Sequence, residues 1–307
     1  MGARILFEEP TLFRILTDEA LLNMGEEFQL ICQKYSKLQR RLKKSKHPIY
    51  TQMVYYRKTL RLYEEGVEPY NISKFLGIRF STILSWIKGH HPLSSYIVSE
   101  FNYHFGYTLG AAIGDGAVSY PNIIFSWLKD EDFVDAIADS VKSMGLKTWV
   151  WKKRNHQVAF CNAIFAQLVL LGKHSAQTLL PLLSSSKEVA IGVVSGFFDA
   201  EGRSGWGKKY LYDAPRASNT KIEIIHLIKG LLDYLGIHST ILKSKNKEFI
   251  SPKTNKKYRP KSEYIYSVRI KRCCVKRFYK LIGFRIKRKQ EELSKLVQTR
   301  FRYICPI

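Results

Sequence analysis

Gly192-Val193-Val194-Ser195-Gly196-Phe197-Phe198-Asp199-Ala200-Glu201-Gly202 places small residues at every fourth position and ends on an acid followed by glycine. Earlier in the chain stands Gly106-Tyr107-Thr108-Leu109-Gly110-Ala111-Ala112-Ile113-Gly114-Asp115-Gly116. The two acids are 86 positions apart (201 minus 115), and at that one offset Gly192 meets Gly106, Gly196 meets Gly110 and Ala200 meets Gly114. Small residues repeating every four share one stripe of a helix. Each glycine costs a helix about 1 kcal/mol relative to alanine, so the stripe needs a compensating interaction. The compensation expected here is close approach of two helix backbones, stripe against stripe.

The flanks repeat as well. After the first stripe come a strand-like run at 122–127 and a helical pattern at about 130–144, closed by Gly145. After the second come residues 216–219 and a helical pattern at about 220–235, closed by Gly236. Strand candidates follow at 149–152 and 158–161 in one copy and at 239–242 and 264–270 in the other, with an added basic loop at 243–261. Each copy then has a helix ending near Leu171-Gly172 or Ile282-Gly283. The reading is α+β: two pseudo-symmetric αββαββα units, at 100–185 and 186–307, around a central pair of packed helices.

Asp115 and Glu201 fall at the last turns of the two stripe helices, and Gly116 and Gly202 are expected to stop them in the left-handed conformation. A carboxylate there faces the negative end of the helix dipole. If the helices pack in parallel, both carboxylates reach the same end, and two like charges beside carbonyl-rich helix ends make a strongly negative spot. Hard divalent cations, Mg2+ or another, suit such a set of oxygen ligands. Beside phosphate, the chemistry that follows is metal-assisted phosphodiester hydrolysis.

The charge of the chain supplies the phosphate argument. The formal net charge is +24, and 27 of the 50 Lys and Arg fall after Gly202 against 7 Asp and Glu. A surplus of 20 (27 minus 7) in that stretch calls for a polyanionic partner, here nucleic acid. Of the alternatives, an anionic membrane and plain solubility, the membrane is the weakest, because no run approaches spanning length and the cations alternate with strand-like apolar residues. Residues 1–6 lack the features of a signal peptide and of a myristoylation site. Cys32, Cys161, Cys273, Cys274 and Cys305 are odd in number and lack C-x-x-C spacing, so an intracellular, zinc-free protein is expected.

The segment 194–202 resembles the LAGLIDADG motif of homing endonucleases, and 108–116 resembles a more degenerate copy of it. The resemblance runs from about Phe101 to Val297. It implies metal-bound acids that cut both strands of duplex DNA across the minor groove, antiparallel saddles in the major groove, and a role in intron or intein mobility. Carried over by position, Asp115 and Glu201 are the metal ligands, helped by carbonyls of Gly114 and Ala200. The stretch 284–290 is similar to a segment that supplies a catalytic lysine in some members, which nominates Lys287. The first copy has no clear match there, and Lys173 is the weaker candidate. With both half-sites in one chain, a monomer is expected.

Long polar side chains on the saddles would read bases while Lys and Arg hold phosphates. The candidates are Lys129, Lys152 and Arg154 in the first copy, and Lys208, Lys209, Arg216, Arg269 and Lys271 in the second. Residues 1–95 read as a helical domain, with helices at 18–44 and 50–65 and a segment at 69–89 similar to a helix-turn-helix. In that segment Ile83, Leu84, Trp86 and Ile87 could pack inward, leaving Arg79, Ser81, Thr82, Ser85 and Lys88 outside, with Arg79, Thr82, Ser85 and Lys88 taken as DNA contacts. Residues 89–95, with His90 and His91, read as a linker. Two further readings stand beside the endonuclease: a non-catalytic DNA-binding regulator, and an RNA-splicing maturase on the same fold. A phosphate-binding loop is excluded, since neither Gly-Asp-Gly nor Gly-Arg-Ser-Gly follows a strand and opens a helix.

Overall fold

A computed structural model describes residues 16–34, 49–90, 101–126, 130–151, 157–205, 214–246, 248–250, 257–258, 260 and 262–300. Among these residues four helices come first: α1 (Asp18–Lys34), α2 (Ile49–Glu64), α3 (Pro69–Leu76) and α4 (Phe80–Ile87). The first repeat then follows as α5 (Tyr103–Gly114), β1 (Gly116–Ser119), β2 (Asn122–Phe125), α6 (Glu131–Ser143), β3 (Thr148–Trp151), β4 (Gln157–Cys161) and α7 (Ala163–His174). A 3-10 turn (Ala176–Leu179) and the one-turn α8 (Leu180–Leu183) lead into the second repeat. That repeat comprises α9 (Lys187–Glu201), β5 (Gly202–Arg203), β6 (Arg216–Asn219), α10 (Ile222–Tyr234), β7 (Ser239–Lys245), β10 (Tyr264–Ile270) and α11 (Val275–Leu281). The extra loop holds a small ribbon, β8 (Phe249–Ile250) with β9 (Lys257–Tyr258), and α12 (Lys287–Arg300) ends the described chain.

Both repeats build the same four-stranded antiparallel sheet, in the orders β1-β2-β4-β3 and β5-β6-β10-β7. The registers correspond position for position. Gly116 pairs with Phe125 and Phe125 with Val158, as Gly202 pairs with Ala217 and Ala217 with Val268. The face carrying Phe125, Val158, Ala217 and Val268 is buried. Because side chains alternate across a strand, the neighbouring positions form the opposite, open face.

Each of the two stripe helices starts where a side chain replaces a missing backbone partner. Asn102 accepts from the backbone N–H of His104 (2.9 Å) and Phe105 (3.3 Å) at the start of α5, and Ser186 accepts from that of Val189 (3.4 Å) at the start of α9. The two stripe helices then meet through their glycines. A Cβ on Gly106 would lie 2.2 Å from the carbonyl oxygen of Val189, and one on Gly110 would lie 2.0 Å from that of Val193. Reciprocally, a Cβ on Gly192 would lie 2.2 Å from the oxygen of Tyr103, and one on Gly196 would lie 2.0 Å from that of Tyr107. Subtracting 86 from each second-repeat partner returns its first-repeat counterpart, so the contact is a pseudo-twofold. The stripes are packed in parallel, since at the far end a Cβ on Gly114 would touch Cβ of Ala200 at 2.7 Å.

The expectation for Gly116 and Gly202 is corrected. Gly202 is extended (φ −96°, ψ 163°), and Gly116 is not among the glycines with positive φ. Each instead opens a strand that leaves its helix so tightly that a Cβ would strike the preceding turn, 2.8 Å from Ala112 Cα or 2.3 Å from the Phe198 carbonyl oxygen. The strand expected at 122–127 ends at Phe125, and Trp127 lies outside the described residues, as does the portion of the 18–44 helix beyond Lys34.

Helix α1 seats the N-terminal helices on the first repeat. Leu21, Met24, Phe28 and Ile31 are buried, and Ser175 Oγ, after α7, donates to Glu27 Oε2 at 2.7 Å. Between α3 and α4, Gly77 adopts φ 64°, and Ser73 Oγ donates to the Ile78 carbonyl at 2.6 Å to close the turn. Ile83 and Trp86 of α4 face inward and Arg79 and Lys88 are exposed, while Thr82 and Ser85 are half-buried.

Replacing Gly110 or Gly196 by alanine should lower stability by roughly 1–3 kcal/mol, as overpacking against rigid backbone does. Gly230→Ala is the control, because its Cβ meets only side-chain carbons of Leu180 at 3.1 Å. It should be neutral or stabilising by up to about 1 kcal/mol. Urea midpoints of the three variants check this, and equal losses at all three positions would contradict the close-contact account.

Candidate metal and nucleic-acid site

The parallel packing brings Asp115 and Glu201 together at one end of the helix pair. Asp115 caps α5 and is exposed, while Glu201 is the last residue of α9 and is half-buried. Burial, and then the Asp115 charge, push the Glu201 carboxyl up to about 7, against the opposing pull of Lys173, the Asn219 amide and Lys289. Asn219 Nδ2 donates to Glu201 Oε1 at 3.1 Å, from the start of the turn into α10. The acids are thus held close, one of them in a partly desolvated place that a cation would relieve.

Two lysine amines reach the same helix ends. Lys173 Nζ donates to the Gly114 carbonyl at 3.5 Å, and Lys289 Nζ donates to the Asp199 carbonyl at 2.6 Å and the Phe198 carbonyl at 3.4 Å. A cation at a helix C-terminus is favoured by the dipole. Burial holds both amines below the usual lysine range, opposed for Lys173 by Glu201 and Asp115 and for Lys289 mainly by Asp199. Lys287 stands elsewhere. It is exposed at the start of α12, and its backbone N–H donates to Asp132 Oδ2 at 2.5 Å. Lys173, the weaker candidate on sequence, is the first-repeat lysine brought to the site.

Asp199, beside the candidate ligands, does a different job. It is 1% exposed and accepts from the Tyr107 hydroxyl (2.7 Å) and from the backbone N–H of Arg285 (3.1 Å) and Ile286 (3.4 Å). Burial pushes its carboxyl up to about 6 despite these donors. Arg285 in turn lies 4.8 Å from the Tyr107 ring centre and donates to the Ala136 carbonyl (3.1 Å) and Ser140 Oγ (2.7 Å) of α6. The Asp199 carboxylate thus ties the second repeat's α11–α12 turn to α5 of the first, and the Arg285 guanidinium ties the same turn to α6.

The open face of the second sheet carries arginines in one row. Arg203 pairs with Arg216, Arg216 with Arg269, and Arg269 with Thr240. Like charges directly opposite on neighbouring strands are unfavourable, a cost that an anion lying on this face would lower. Lys271 is exposed just past β10. Sequence reasoning found Arg216 and Arg269 but missed Arg203, Lys289 and Asn219. The strand partner of Arg216 is the only signal for Arg203, and it needs the register. The candidates Lys129, Lys152, Arg154, Lys208 and Lys209 lie outside the described residues.

The donor set fits a hard divalent cation: two carboxylates, with the Gly114 and Ala200 carbonyls at the same helix ends and open solvent on the Asp115 side. Among the described residues no group of three or more His, Cys, Asp and Glu gathers. Also among the described residues, no helix is long and apolar enough to cross a membrane.

Residues 188–283 match the family model of the LAGLIDADG-like domain. An uncharacterized protein of Methanocaldococcus jannaschii is 28% identical over 272 residues, covering 81% of this chain and 94% of that protein. The solved structure of I-DmoI in complex with DNA and Ca is similar at 14% identity, with a TM-score of 0.41 over 63% of this chain and 97% of that one. The N-terminal LAGLIDADG domain of DUF199/WhiA is similar at 15% identity, with a TM-score of 0.40 over 64% of this chain and 89% of that one.

Removing the Asp199 charge should damage the fold. Asp199→Asn replaces one of two acceptor oxygens, which together meet three donors, by an amide NH2 and should cost roughly 1–3 kcal/mol. Thermal melts of the variant and the wild type check it, and an unchanged melting temperature would remove Asp199 from the ties that hold the fold.

Proposed function

We propose that this chain, whose residues 188–283 form a LAGLIDADG-like domain, is a metal-dependent endonuclease that cuts double-stranded DNA at a long asymmetric site. The observation that carries the reading is the pair of acids. Asp115 and Glu201 are forced to one end of the glycine-packed helices, where burial and then the Asp115 charge raise Glu201 to about 7. Perturbed carboxyls of this kind cluster at functional sites. Asp115 and Glu201 would hold Mg2+ or a similar cation, with the Gly114 and Ala200 carbonyls beside them. When bound, the cation supplies positive charge to a phosphate oxygen and lowers the pKa of an attacking water.

The chain's own residues do the rest. Lys173 and Lys289 stand at the two helix ends, where amines can stabilise charge gathering on a phosphate. Lys287, exposed at the head of α12, is a phosphate contact in this reading. Asn219 orients the Glu201 carboxylate. The arginine row, with Lys271, holds backbone phosphates or bidentate base edges on the second half-site. Arg79, Thr82, Ser85 and Lys88 of the N-terminal helical pair would extend the footprint. The protein works as a monomer, because both halves of the site are in one chain, and it acts wherever the host genome lies.

Cleavage of a randomised duplex library with Mg2+ tests this directly. A reproducible long cut site, lost by at least about 100-fold in Asp115→Asn and in Glu201→Gln, is the expected result. Selective binding without cutting in any divalent metal would make the protein a DNA-binding regulator, and preference for structured RNA would make it a maturase. Arg79→Ala and Lys88→Ala should weaken binding across sequences and each reduce the salt slope by about 1. An unchanged slope would remove the N-terminal helices from the interface.

A further inference from the structure

The two sheets correspond position for position, yet one row across their open faces differs in kind. The row Arg203–Arg216–Arg269–Thr240 of the second sheet matches Ala117–Ile124–Ala159–Trp149 of the first. The next positions of the same faces keep a common character. The Ser218 and Ser267 hydroxyls meet at 2.7 Å, and at the matching pair the Gln157 amide donates to Ser126 Oγ at 2.9 Å. In the second row, Arg216 and Arg269 stand on β6 and β10, the two central strands, and Arg203 stands on the edge strand β5. Arg269 is exposed and Arg216 half-buried. In the first row, Ile124 is half-buried on the central strand β2, between Ala117 and Ala159, its partners on either side. Trp149, 49% exposed, faces Ala159 from β3. Ile124 and Trp149 thus flank the small Ala159 across the strands.

We propose that the two half-sites of the DNA have opposite base preferences: guanine opposite Arg216 and Arg269 of the second sheet, and thymine, held by its methyl group, opposite Ile124, Ala159 and Trp149 of the first. The inference rests on the reading of the chain as a duplex-DNA-binding protein and adds to it the bases that each sheet selects. The major groove, about 12 Å wide, admits a two-stranded ribbon, so two central strands about 4.8 Å apart reach its floor while edges and loops meet the phosphate rims. Arginines on the central strands therefore face base edges, and Arg203, on the edge strand, faces the backbone. Guanine presents two acceptors, N7 and O6, to a rigid guanidinium fork; adenine replaces one acceptor by a donor, and cytosine presents a donor alone. Two guanidinium groups side by side repel each other, and guanine edges, the richest in acceptors, best offset that repulsion. The first row reverses the choice. Aliphatic and indole surface cannot bond to the polar edge of a base, and covering a polar group without a partner is unfavourable. Thymine alone among the four bases brings a methyl group into the groove, apolar surface that this row can bury. Uracil lacks that methyl, so the same row favours DNA over RNA.

The experiment recovers the duplexes that the full chain binds from a randomised DNA library without divalent metal, so that cutting plays no part. The recovered site should be asymmetric, with guanine fixed in one half and thymine in the other. In that duplex, 7-deazaguanine removes the N7 acceptor and deoxyuridine removes only the thymine methyl. The wild type should lose about 10-fold in affinity for the first change, which breaks a bidentate contact, and about 4-fold per methyl for the second. Arg216→Ala/Arg269→Ala should become indifferent to 7-deazaguanine while keeping the deoxyuridine penalty, and Ile124→Ala/Trp149→Ala should do the reverse. The penalty retained on the untouched half shows that each variant is folded and bound, and the two base analogues decide the question in the wild type even where a variant does not fold. An arginine variant that weakens all duplexes alike and still feels 7-deazaguanine would show that these arginines hold phosphate, and a wild type indifferent to deoxyuridine in both halves would leave the first row without a thymine; either result overturns this inference alone. Absence of sequence-selective binding to duplex DNA would overturn it together with the reading it rests on.

Discussion

Everything distinctive about this molecule depends on four glycines facing four carbonyls. At 106, 110, 192 and 196 the absence of a Cβ lets the carbonyl oxygens of Val189, Val193, Tyr103 and Tyr107 come to where that carbon would be. Contacts this short place Cα–H groups against carbonyl oxygens, individually weak interactions that recur at close helix interfaces. Each glycine costs about 1 kcal/mol of helix propensity, offset by the side chains packed around the pair, which are buried along nearly the whole length of both helices. The contact leaves little freedom of register. The helices must run parallel, and Gly114 must end against Ala200.

That constraint creates an electrostatic problem at one end and a structural opportunity beside it. Asp115 and Glu201 are brought together, and the chain answers with amines from Lys173 and Lys289 on the helix carbonyls and an amide from Asn219 on Glu201. Asp199 lies two positions before Glu201 and is spent on the fold. Its counterpart at the 86-residue offset is Ile113, also buried, so the tie through Tyr107 and the 285–286 turn is made only once. The two repeats share their backbone contact but not their polar staple.

The helix pair was legible in the sequence because close backbone contact admits so few residue types. The sheets were legible in kind for a related reason, since a repeated pattern constrains its copies. What could not be read lies below the resolution of periodicity. The strand β5 has two residues and β1 has four, too short for alternation to show. A glycine after an acid is compatible with a left-handed stop or with a steric exit, and only the path of the chain into β1 and β5 decides for the second. In Arg285-Ile286-Lys287-Arg288-Lys289 three of five residues could be the inward amine besides Arg285, and each step rotates a helix by about 100°. The observed phase buries Lys289 and turns Lys287 out. Arg203 escaped notice because its significance is set by its strand partner, which sequence spacing does not reveal.

Fusion of both halves in one chain explains why the open faces could diverge. Two identical subunits about a true twofold present the same surface twice, so a change that suits one half-site is imposed on the other. Here the positions at the helix contact have kept their equivalence through the 86-residue offset, because a change on either side would strike the opposing carbonyl. The open-face rows carry no such mutual constraint: Ala117 does not touch Arg203, nor Trp149 Thr240, in any way the fold requires. An arginine row on one sheet and Ala117, Ile124, Ala159 and Trp149 at the matching positions of the other can therefore coexist around one pair of acids. The packing demands symmetry only along the helices, and beyond their ends each sheet is free to carry its own side chains.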